Sequence, residues 1–140
     1  MPKRRRGYLL PPGSRRPARP RHERFERLVE RALARIPPPF SDVLDEVAIV
    51  IADEPTAEEL GRDGMESDDV LYGLYEGVPK TEWASDWVAV PNRITLYRLP
   101  LEEDFPDPLD LEDEVRETVI HELAHHLGID DERLHELGHK

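Results

Sequence analysis

The chain has 140 residues, a formal net charge of −12 and no cysteine, so it fits one compact domain and excludes a disulfide framework or a thiolate metal site. Twelve of its nineteen basic residues and three of its thirty-one acids lie in residues 1–40, giving +9 there and −21 in the remainder. An acidic body repels a phosphate backbone whereas a basic front attracts one, so net charge alone does not choose a partner.

Residues 1–20, MPKRRRGYLLPPGSRRPARP, combine prolines and seven basic residues with no acid. That composition predicts a disordered basic tail, 1–20, ahead of a single domain over 21–140. The tail also suits nucleic acid or an acidic partner. Its apolar run, Tyr8 to Leu10, is far too short for a signal core or a membrane span. A cytoplasmic protein without membrane contact is expected.

From residue 21 to 36 the apolar positions Phe25, Leu28, Val29, Ala32, Leu33 and Ile36 step by three and four, which predicts a helix ended by Pro37–Pro39. VAIVIA, 47–52, reads as a strand buried on both faces. Thr56 and Glu59 form a capping box for a brief helix. LYGLYEG, 71–77, and RITLYRL, 93–99, read as two further strands, the latter with one polar side at Arg93 and Thr95. The long link between them carries Trp83 and Trp87 and has the length of a binding loop or lid. Asp110 is read as the cap of a helix over 111–127, stopped by Gly128, with Asp130 or Asp131 capping a last short helix. Helix, three strands and two helices without a repeat predict an α+β fold.

The chemistry concentrates in HELAHHLGIDD, 121–131. On the predicted helix Val115, Val119, Ile120, Leu123 and Leu127 share one face, while Thr118, His121, Glu122 and His125 fall roughly opposite. His121 and His125 are one turn apart, so both imidazoles can address a point about 2.0–2.1 Å from each. Glu122 beside them is placed as the catalytic general base. A catalytic zinc takes three protein ligands; Gly128 lets the chain reverse and Asp131 return as the third. One Zn2+ per chain, on His121, His125 and Asp131, is the expectation.

HExxHxxGxxD resembles the extended motif of zincin metallopeptidases, with aspartate in place of the last histidine of metzincins. The run from LYGLYEGVP through ITLYR to HELAHHLGIDDERLHELG is similar to the small bacterial proteins called minimal zincins, or zincin-like metallopeptidases. The resemblance implies a small mixed sheet packed against the motif helix, zinc on His121, His125 and Asp131, and Glu122 as base. It departs from metzincins in having no methionine after the motif, since Met1 and Met65 precede it, and nine residues after Asp131.

Around the motif, His126 at the core edge reads as structural. His135 is a weaker alternative ligand and His139 a frayed terminus. Glu114 and Glu117 suit the helix dipole. Tyr72, Tyr75 and Tyr97 are oxyanion-donor candidates whose plainer role is packing within strands. The leading reading is a zinc-dependent peptidase acting on a short or unstructured peptide or protein substrate, held by strand addition to a sheet edge. A metal-dependent endoribonuclease similar to rRNA-maturation enzymes is the alternative, opposed by Glu122 where those carry a small residue and Asp131 where they carry histidine. A non-catalytic zincin-like interaction protein is the third.

Overall fold

A computed structural model describes residues 21–62, 70–77 and 92–139. The chain order is α1 (Arg21–Leu33), a 3-10 helix (Phe40–Glu46), β1 (Ala48–Ala52), α2 (Ala57–Arg62), β2 (Gly73–Glu76), β3 (Arg93–Tyr97), α3 (Arg98–Asp104), α4 (Pro108–Leu127) and α5 (Asp131–Glu136). The fold is α+β, as its element pattern predicted. The tail 1–20 and the link holding Trp83 and Trp87 lie outside the described residues.

The apolar stripe of α1 is buried at Phe25, Leu28, Val29 and Ala32, and α1 lies along α4. Arg31 and Arg35 bridge to Glu112 on α4, and Arg35 also to Asp113. These surface pairs add little next to burial, at about 1.5–3 kcal/mol for each large aliphatic side chain removed from water. The capping box forms as expected. Thr56 N–H donates to Glu59 Oε1 at 2.9 Å and Glu59 N–H to Thr56 Oγ1 at 3.0 Å.

The sheet is mixed, in the order β1-β3-β2, with β1 parallel and β2 antiparallel to β3. This corrects two expectations. The apolar run of β1 is not buried on both faces; it is an edge strand with Val50 40% exposed. Instead the central strand β3 is enclosed on both, Ile94 and Leu96 joining the main core while Tyr97 joins a smaller cluster with Leu60, Leu71 and Leu74. Even Thr95, expected on a polar side, is buried. A central strand has neighbours on both edges and layers on both faces, and composition does not say which strand takes that place.

β3 also ends earlier than expected. Arg98 and Leu99 begin α3, where Pro100 sits in the first turn, a position whose missing N–H costs nothing. Arg98 then pairs with Asp53 and Glu102. The next helix starts at Pro108, not after Asp110. Asp107 is its cap, accepting from Leu109 N–H at 2.8 Å, and the proline occupies the first turn.

Candidate metal centre

α4 is buried from Leu111 to His126 on most of its circumference, because α1, α3, β2, β3 and the 3-10 helix all pack on it. His121 and His125 are the half-exposed exceptions in its last turns. Gly128 ends the helix at φ +76°, the left-handed conformation that glycine adopts without a Cβ clash. Its N–H donates to the His125 carbonyl at 3.1 Å and Ile129 N–H to the Ala124 carbonyl at 2.8 Å. The chain turns back here.

The two imidazole rings lie 4.8 Å apart, inclined at 66°. Donor atoms of His121, Glu122 and His125 fall within 4.8 Å of one another. His121 Nε2 is 4.0 Å from Glu122 Oε2, and His125 Nδ1 is 3.5 Å from Glu122 Oε1. The reversal at Gly128 brings Asp131 Oδ1 to 3.7 Å from His121 Nε2. Two ligands about 2.1 Å from one tetrahedral ion stand roughly 3.4 Å apart, so the His121–Asp131 separation suits shared coordination better than direct hydrogen bonding. Two nitrogens and carboxylate oxygens without a thiolate form a donor set that fits zinc.

The spacing had assigned the cap of α5 to Asp130 or Asp131, and the structure separates them. Asp130 accepts from Arg133 N–H at 2.8 Å and is the cap. Asp131 therefore has its carboxylate turned toward His121 and otherwise largely in solvent, at 79% exposure.

Glu122 is buried, unlike its two neighbours in the motif. Its Oε1 accepts a 2.9 Å hydrogen bond from the main-chain N–H of Tyr75 on β2. The phase of the ladder explains that bond. Tyr97 N–H donates to the Tyr72 carbonyl, so Tyr72, Leu74 and Glu76 pair with β3 while Gly73 and Tyr75 turn their main-chain groups away from it. Gly73 is required for the close approach of β2 to α4, because a Cβ there would stand 2.7 Å from Thr118 Cγ2.

Two of the three candidate tyrosine hydroxyls are bonded within the protein. Tyr72 donates to Asp104 at 2.5 Å, and burial together with that bond pushes its phenol up to about 12. Tyr75 donates to Asn92 Oδ1 at 3.0 Å, and Tyr97 is fully buried in the smaller cluster. His126 is structural, as expected. Fully buried, it places Nδ1 3.0 Å from the Tyr75 hydroxyl and Nε2 2.9 Å from Glu46 Oε1. His135 is exposed on α5. His139 is not frayed, because its Nδ1 lies 3.3 Å from Glu117 Oε1 and its ring meets Phe40 edge-on. Glu117, which also pairs with Arg116, is thereby a strut for the C-terminal segment. Glu46 and Asn92 had no local signal, since their partners lie far along the chain.

No described helix is long and apolar enough to cross a membrane. No curated protein matches the chain. The sequence profile of the zincin-like metallopeptidases matches residues 44–139, from the 3-10 helix through His121, Glu122 and His125 to the last described residue. With well over half its length matched, the chain belongs to the zincin-like metallopeptidase family.

Proposed function

We propose that the protein is a zinc-dependent peptidase acting on short or unstructured peptides, with one zinc per chain on His121, His125 and Asp131. The observation that carries this reading is the buried carboxylate of Glu122, set between two half-exposed imidazoles and held by an edge-strand N–H. Glu122 is assigned as base and Asp131 as ligand because Oε1 of Glu122 already accepts from Tyr75, whereas Asp131 is relieved of capping by Asp130. Bound zinc supplies Lewis acidity toward a peptide carbonyl and a water molecule.

Glu122 takes the proton of the attacking water and passes it to the leaving amine. An extended substrate is held by strand addition to an exposed edge of the sheet. The basic stretch 1–20 is a candidate contact for nucleic acid or an acidic partner.

The test is metal analysis of protein purified without chelator, followed by a quenched-fluorescent peptide library. Wild type is expected to carry about one zinc per chain and cleave peptides, Glu122→Gln to keep the zinc with turnover down by at least roughly a thousandfold, and Asp131→Ala to bind zinc at least about tenfold more weakly. Protein that refuses added zinc, or a Glu122→Gln variant with undiminished turnover, overturns the reading. Salt-dependent RNA binding and cleavage without peptide cleavage would replace it with the nuclease alternative.

A further inference from the structure

Thr118, Glu122 and His126 are spaced four apart on α4 and form one row along the helix. β2 lies against that row. Gly73 packs on Thr118, Tyr75 N–H bonds Glu122, and the Tyr75 hydroxyl meets His126. A single residue of β2 thus grips α4 at two points one turn apart, by its main chain at Glu122 and by its side chain at His126. The second grip is itself anchored. His126 Nε2 lies 2.9 Å from Glu46 Oε1 in the 3-10 helix, and the Tyr75 hydroxyl reaches Asn92 beside the start of β3.

We propose that His126 and Glu46 are positioning residues for Glu122, acting through Tyr75; the catalytic half of this inference rests on reading Glu122 as the base. With both grips in place β2 cannot slide or roll along α4 without breaking two hydrogen bonds. Without the His126 grip, β2 keeps its ladder to β3 and the Tyr75–Asn92 bond, but of these two grips on α4 only the main-chain bond to Glu122 remains. The relay converts a buried network into a fixed direction for the Glu122 oxygens. A carboxylate a fraction of an ångström out of place loses much of its value as a base, because proton transfer needs hydrogen-bond reach in the reacting complex.

The readout is hydrogen exchange of the residue-75 amide by NMR on the full-length, zinc-loaded chain, alongside zinc affinity and peptide turnover. Glu122→Ala removes the acceptor and sets the reference for a free amide. His126→Phe keeps the volume and drops both bonds; Tyr75→Phe keeps the N–H and drops only the hydroxyl. Both are expected to speed exchange at residue 75 by about tenfold or more, with the amides of Val119 and Ile120 unchanged. Zinc affinity should stay within a few-fold of wild type. The kcat for peptide cleavage should fall at constant KM, and Glu46→Gln, which retains an acceptor for Nε2, should keep most of it.

Should His126→Phe fold poorly, Tyr75→Phe and Glu46→Leu carry the same expectation. Residue-75 exchange that is unchanged in these variants overturns the proposal whatever the activity. Faster exchange in a protein whose wild type cleaves no peptide would uphold the mechanical link and sink the peptidase reading instead. Equal acceleration across α4 would overturn the proposal in favour of plain destabilisation.

Discussion

Two rows of side chains run side by side along the second half of α4. His121 and His125 are half exposed, and the contacts His121 makes with Glu122 and Asp131, and His125 with Glu122, are at 3.5–4.0 Å. Thr118, Glu122 and His126 are buried and bonded or packed at ordinary contact distances to β2 and the 3-10 helix. His125 and His126 are adjacent in sequence and opposite in role. A step of about 100° around the helix moves an imidazole from a wet face to an enclosed one, where it must find hydrogen-bond partners or cost stability. Glu122 spans both rows, buried with one and facing the chemistry of the other.

Substitution in the exposed row breaks this contrast most visibly. His121→Ala should weaken zinc binding by at least on the order of a hundredfold while leaving the thermal midpoint of the metal-free chain near wild type. Calorimetric titration with zinc and a melting curve in chelator check both halves. A large loss of metal-free stability would show that His121 belongs with the structural row after all.

The buried row should answer in stability first. Gly73→Ala drives a Cβ to 2.7 Å from Thr118 Cγ2, and overpacking of this kind costs about 1–3 kcal/mol. Thr118→Ala in the same chain should recover most of that cost in urea unfolding. If the two changes are additive, β2 and α4 do not meet as tightly as the structure has them.

The smallest effects lie outside both rows and concern pH. Bonding to Arg31 and then Arg35 holds the Glu112 carboxyl below its usual range. Its contribution is therefore present above the ordinary carboxylate pKa and lost as pH falls through the lower folded value. Glu112→Gln should flatten that acid limb of stability. At the other extreme the Tyr72 phenol, raised from 10.0 to about 12, favours the folded state below pH 10 and loses that advantage between 10 and 12. Tyr72→Phe should remove this alkaline loss. Denaturant midpoints across pH measure both, and neither variant should alter zinc affinity.

Legibility followed the range of the interactions. The motif helix, its stop at Gly128 and the convergence of His121 with His125 depend on residues within one or two turns, so spacing sufficed. The N-terminal boundary lies ahead of the expected cap at Asp110, because Pro108 is an ordinary first-turn proline behind Asp107. α3 likewise has Pro100 in its first turn. The two strands were ranked the wrong way round. β1 has the more apolar sequence and sits at an edge, while β3, with Arg93 and Thr95, sits at the centre.

The sequence by itself determined the local devices: a histidine pair one turn apart, a glutamate between them, a glycine that reverses the chain and an aspartate ten positions after His121. Their geometry follows from the period of a helix and the conformational freedom of one glycine. Only the tertiary structure decided that Glu122 is held by Tyr75, that Tyr75 is held by His126, and that His126 is held by Glu46. Those contacts join residues 47 to 80 positions apart. They exist because packing a sheet on a helix buries polar groups that must then find hydrogen-bond partners.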